Sequence, residues 1–138
     1  MPLLRQWLRD HPADMWSLMW ENPSYIFFRE NPGGATGAEQ VPLTASRSLA
    51  VDQAFIPLGM PVFVSSVLPP TPMSKSKPIR KLMIAQDTGT AIQGPLRGDI
   101  FFGFGERAEL LAGAMKSPGE MILLLPRPLA NALTKSAP

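Results

Sequence analysis

Sixteen prolines and eleven glycines punctuate a chain of 138 residues. Proline disrupts helix interiors and central strands, and glycine costs conformational entropy in both. A chain so interrupted folds as short strands joined by turns, with few and short helices. Hydrophobic residues make up 45% of it, enough apolar material for one core, and the length fits one domain. Net charge is only +2, and the basic residues show no interleaved aromatic stripe, so no nucleic-acid partner is expected. The lack of cysteine excludes disulfides, thiolate metal sites and cysteine nucleophiles. Neither a cofactor nor a bound metal is expected.

The opening run MPLLRQWLRDHPADMW does not read as a signal peptide, because Arg5, Arg9 and Asp10 break its apolar residues. No apolar run approaches transmembrane length; Met121–Pro126 comes nearest. Residues 3–10 and 13–21 read as short helices, with Trp7, Trp16 and Trp20 expected to pack that helical layer on the core. His11, before Pro12, reads as a loop histidine. Strands are expected at 25–29, 47–52, 61–67, 80–86, 99–102 and 120–125. Residues 30–40 form a glycine-rich loop, 69–78 an exposed hairpin tip or linker, and 105–116 a helix with Leu110, Leu111 and Ala114 partly on one face. The chain divides into a helical segment at 1–24, a barrel domain at 25–127 and a fraying tail at 128–138. Short strands with such punctuation suggest a small barrel, although spacing alone leaves its topology open.

The chemistry concentrates in AQDTGTAIQGPLRGD, residues 85–99, where Asp87 and Asp99 stand in one glycine-rich ribbon. Three readings compete. Aspartates beside glycine are common in turns, where the carboxylate accepts backbone N–H groups. Asp87-Thr88-Gly89 matches the aspartic protease tripeptide, but Gln86 precedes it where those enzymes carry an apolar residue. The third reading is a sugar-cleaving site. A glycosidic bond needs a protonated acid beside its leaving oxygen, and apolar surroundings or a neighbouring carboxylate keep a carboxyl protonated. Phe101, Phe102 and Phe104 supply apolar surface near Asp99, Asp87 supplies the second carboxylate, and Gly89, Gly94 and Gly98 admit a bulky glycan to the backbone. Arg97 complicates this, since in an extended segment it shares a face with Asp99 and assists only if it points at substrate. Arg97-Gly98-Asp99 also spells an adhesion tripeptide, a string too short to carry weight.

Three blocks in order then resemble the 3D domain, named for three aspartates, of the MltA-type membrane-bound lytic transglycosylases. They are Ser48-Leu49-Ala50-Val51-Asp52 running into Ile56-Pro57-Leu58-Gly59, then Ala85 to Gly94, then Arg97-Gly98-Asp99-Ile100-Phe101-Phe102-Gly103. Glu21 to Phe28 and Ala112 to Lys116 flank them in the family's manner. The resemblance covers about residues 15–127. It implies a six-stranded double-psi β-barrel with short helices, and non-hydrolytic cleavage of peptidoglycan to 1,6-anhydromuramic ends. It implies Asp99 as catalytic acid, Asp87 as the second aspartate at the cleft, and Asp52 as structural. It implies substrate contacts at Gly89, Thr90, Gln93, Gly94 and Arg97. Thr90 stands where a second glycine is usual, and Gln93 where many members have lysine. Family enzymes are longer and carry a second domain, so this chain reads as their C-terminal part, lacking the opposite wall of the groove and the lipoprotein cysteine. Glycan strands are the implied partner, and periplasm or outer membrane the implied location. A non-catalytic peptidoglycan-binding module is the alternative.

Overall fold

The computed structural model describes residues 2–24 and 30–135, in two compact units, Met1–Pro32 and Gly33–Pro138. The first unit holds two helices, α1 (Pro2–Asp10) and α2 (Met15–Trp20). Neither buries its tryptophans as expected: Trp16 and Trp20 are 60% and 78% exposed and tilt against each other at 6.4 Å. His11 stacks on Trp7 with 4.5 Å between ring centroids, and its Nδ1 lies 3.0 Å from the Trp7 carbonyl oxygen. The strand expected at 25–29 lies outside the described residues.

The second unit is mainly β. Its strands are β1 (Ser48–Val51), β2 (Pro61–Leu68), β3 (Lys77–Asp87), β4 (Gly98–Ile100) and β5 (Gly119–Leu123), with helices α3 (Glu106–Ala114) and α4 (Arg127–Lys135). The five strands form one mixed sheet in the order β4-β1-β3-β2-β5. β2 and β3 are the expected hairpin, antiparallel from Pro61–Ile84 to Leu68–Lys77. The pairing of β1 with β3 is parallel and the others are antiparallel. The segment after Pro126, expected to carry no element, is helical over Arg127–Lys135.

Alternation along the strands explains the curl. Leu49 and Val51 on β1, Val62 and Val64 on β2, and Ile79, Met83 and Ala85 on β3 are all buried and belong to one cluster. Side chains two residues apart share a face, so each strand turns an apolar edge inward. The sheet curls around this cluster into a half-barrel and brings its edge strands toward each other. A Cβ built on Gly98 of β4 would lie 3.0 Å from Met121 Sδ of β5. One side is closed by α3 through the expected Leu111 and, one turn before it, Ala108, in place of the expected Leu110 and Ala114. Among the described residues no helix is long and apolar enough to cross a membrane.

Candidate active site

The parallel strands β1 and β3 end at the same mouth of the curled sheet, and β4 starts there. Because β1 lies between β3 and β4, the ribbon of residues 88–97 must arch over the end of β1. Asp52, the first residue past β1, fastens that arch. Its Oδ2 accepts the Gly94 N–H at 2.7 Å and its Oδ1 accepts the Ala54 N–H at 3.0 Å. Donation from Gly94, then from Ala54, holds the Asp52 carboxyl below its ordinary value of 3.8. Gly94 has φ of 93°, a conformation L side chains rarely adopt, so the arch turns where a residue without Cβ stands. Gln93 serves the ribbon itself: its Nε2 donates to the Thr90 carbonyl at 3.1 Å. The Ile92 N–H likewise donates to the Gly89 carbonyl at 2.9 Å.

A register shift brings Asp87 into line with Asp99. Leu49 pairs with Ala85, but the next residue, Ala50, pairs with Asp87, leaving Gln86 as the extra residue of a bulge. Without that insertion Asp87 would follow Ala85 onto the core face, since alternation places residues two apart on the same side. With it, Asp87 aligns with Ala50, which lies between the core-facing Leu49 and Val51. Ala50 pairs on its other side with Asp99 of β4. A row Asp87–Ala50–Asp99 thus crosses three adjacent strands, its acids about 10 Å apart by backbone, two strand spacings. Asp52 stands two residues beyond Ala50, at the same mouth. Among the described residues no group of three or more His, Asp or Glu is placed to hold a metal ion.

The bulge is held on three sides. Ser48, 1% exposed, donates its hydroxyl to Gln86 Oε1 at 2.6 Å and accepts the Thr44 N–H at 2.8 Å. The Ala38 N–H donates to the Gln86 carbonyl at 3.0 Å. Buried Gly37 lies so close that a Cβ there would sit 2.0 Å from that oxygen. Sequence reasoning missed Gly37, Ser48 and Gln86 as positioning residues. The one available signal was a small polar residue, Ser48, opening an apolar strand.

Asp99 borders a groove of about 640 Å³ lined also by Leu96, Arg97, Phe102, Met115 and Lys116. Of the three phenylalanines expected beside it, Phe102 alone lines this groove; Phe101 and Phe104 pack edge to face at 5.6 Å. Arg97 holds both Asp99 oxygens, with Nε to Oδ1 at 2.8 Å and the second guanidinium nitrogen to Oδ2 at 3.3 Å. The side chains are 51% and 53% exposed, so solvent screens the pair, while the carboxylate raises the Arg97 pKa. Arg97 therefore faces the acid, in the arrangement that does not assist proton donation. Lys116, which lines the same groove, was not among the expected contacts.

A curled mixed sheet with three aspartates gathered at one mouth defines the class: the family described as the 3D domain matches residues 47–125, and the MltA specific insert domain matches residues 1–29. The membrane-bound lytic murein transglycosylase A of Escherichia coli K12 is 31% identical over 134 residues, which is 95% of this chain and 36% of that protein. The crystal structure of a membrane-bound lytic murein transglycosylase from Agrobacterium tumefaciens is 45% identical with a TM-score of 0.79, over 95% of this chain and 36% of that one. That of E. coli MltA with bound chitohexaose is 31% identical with a TM-score of 0.68, over 78% of this chain and 33% of that one. The chain belongs to the MltA family of lytic murein transglycosylases, as its 3D domain with a stretch of the insert domain before it. It spans about a third of the length of the curated relatives it matches.

Proposed function

We propose that this chain carries the acid-bearing wall of a peptidoglycan lytic transglycosylase, with Asp99 as the catalytic acid. Protonated, Asp99 gives its proton to the glycosidic oxygen as the bond from the muramic acid anomeric carbon to that oxygen breaks. As a carboxylate it then takes the proton of the muramic acid 6-hydroxyl, whose oxygen bonds to the same anomeric carbon. No water enters, and a 1,6-anhydro end remains. The row Asp87–Ala50–Asp99 at a groove mouth supports this reading most directly, because it gives one acid access to a strand and keeps a second close by. Asp87 positions the substrate or Asp99, and Asp52 is structural. Gly89, Thr90, Gln93, Gly94 and Arg97 offer the glycan the exposed face of the ribbon. Arg97 must release Asp99 for this, turning its guanidinium to the substrate. A relative of this fold carries bound chitohexaose, which supports a glycan strand as the ligand.

In the same reading, the curled sheet is part of a six-stranded double-psi barrel. The remainder of a full-length protein supplies the opposite groove wall, and the site works at the outer membrane on its periplasmic face. The Arg97–Asp99 ion pair favours a second reading, a peptidoglycan-binding module in which the acids shape the surface without reacting.

The test incubates the protein with purified peptidoglycan and reads product ends by mass spectrometry. Expected are 1,6-anhydromuramic ends, formed at a rate reduced roughly 10²–10⁴-fold by Asp99→Asn, the range for loss of a general acid. Hydrolytic reducing ends, or a folded Asp99→Asn variant with undiminished turnover, would refute the assignment. Glycan binding without any product would select the second reading.

A further inference from the structure

Phe102 separates two grooves. On one side lies the Asp99 groove; on the other lies a second, of about 490 Å³, to which the foregoing mechanism gives no task. Its lining includes Lys77, Arg80 and Lys81 from β3, Arg107 from α3, and Phe102 and Phe104; alternation puts Lys77 and Lys81 on the face of buried Ile79 and Arg80 on the opposite one. No carboxylate lines it, and among the described residues none of the four cations is in an ion pair. Three uncompensated cations, Lys77, Lys81 and Arg107, in one concavity stand out in a chain whose net charge is only +2. Such a site attracts anions, and guanidinium groups favour planar carboxylates that accept two hydrogen bonds at once.

We infer that this basic groove binds the free carboxylates of a short acidic peptide carried by the glycan strand. The inference rests on the reading of Asp99 as a glycan site. Muramic acid in peptidoglycan bears such a peptide on its lactyl group, and the two grooves share Phe102 as a common wall. A sugar seated at Asp99 can therefore send its peptide over Phe102 into the cations. The aromatic faces give the peptide an apolar bed while Arg107, Lys77 and Lys81 take its carboxylates. The protein would then distinguish peptide-bearing strands from bare ones.

Isothermal titration calorimetry tests this with two soluble ligands of equal sugar length: glycan fragments bearing stem peptides, and the same fragments stripped of peptide by an amidase. Peptide-bearing fragments should bind about tenfold tighter, a preference that shrinks as salt screens the charges. The Lys77→Gln/Arg107→Gln double variant should lose that preference while binding stripped fragments as the parent does. Its melting temperature should match the parent's, because both side chains are exposed. Equal affinity for the two fragments would overturn the inference and leave the glycan reading standing. A preference that survives the double variant, or arginine-dependent binding of anionic phospholipid vesicles in place of the peptide, would also overturn it. Failure of both fragments to bind would overturn the glycan reading along with it.

Discussion

Replacing Gly37 by alanine drives a methyl group into the main chain of Gln86. The new carbon would sit 2.0 Å from the Gln86 carbonyl oxygen, 2.9 Å from its carbonyl carbon and 3.0 Å from Leu43 Cδ2. Two of these neighbours are backbone, so no rotamer change relieves the contact. Either the 35–43 loop lifts away or the bulge at Gln86 moves. Overpacking of this kind costs about 1–3 kcal/mol. Loss of the Ala38 N–H bond to the Gln86 carbonyl adds about 1 kcal/mol. The sum, about 2–4 kcal/mol, lowers the melting temperature by roughly 7–18 °C in a domain of this size. Circular dichroism melting measures it, and hydrogen exchange at the Ala38 amide reports whether that bond has opened. Gly113→Ala is the control. Nothing lies within 4 Å of its new methyl and it stands inside α3, so it should be neutral or stabilise by up to about 1 kcal/mol. A Gly37→Ala variant that melts within a degree or two of the parent, with the Ala38 amide still protected, would refute the claim that the loop braces the bulge beneath Asp87.

Asp52→Asn should lower the melting temperature at neutral pH. The folded carboxyl is held below 3.8, so its contribution is complete above that value and is lost as pH falls through the lower folded value. The gap between parent and variant should therefore close below about pH 4 in melts recorded across pH, and a gap that stays constant would argue against the carboxylate as the fastener. Arg97→Gln should leave the melting temperature almost unchanged, because the ion pair it removes is half exposed and screened; a drop of many degrees would mean that Arg97 braces the fold. Gly98→Ala should destabilise less than Gly37→Ala, since its new methyl meets side-chain ends, Met121 Sδ at 3.0 Å and Leu49 Cδ1 at 3.2 Å. Combining it with Met121→Ala should recover part of that loss in a double-mutant cycle; strict additivity would indicate that β4 and β5 do not press on each other.

Most elements of the second unit were legible because their signals are local. Alternation marked β1, β2 and β3, the proline-rich stretch between Pro69 and Pro78 marked the hairpin, and glycine and proline bounded the rest. The helix at Arg127–Lys135 was not legible, because its nine residues follow Pro126 and include Pro128, punctuation that reads as readily as a turn or tail. The tryptophans misled for a different reason. Their bulk argued for burial, but a helix as short as α2 buries them only if another surface covers it, and that depends on tertiary contacts.

The candidate site divides along the same line. The order of residues along the chain determined which acids belong together: Asp52 after an apolar strand, Asp87 at the end of another, Asp99 after a glycine-rich ribbon. It also determined that Arg97, two residues from Asp99 in an extended segment, shares its face, as the ion pair bears out. Tertiary structure alone decided that Ala50 stands between the two acids, because β1 enters the sheet between β3 and β4 from a distant part of the sequence. It alone decided that Asp87 turns from the core to the mouth. That turn depends on one extra residue in the pairing of two strands, and alternation along a single strand carries no record of its partner's register.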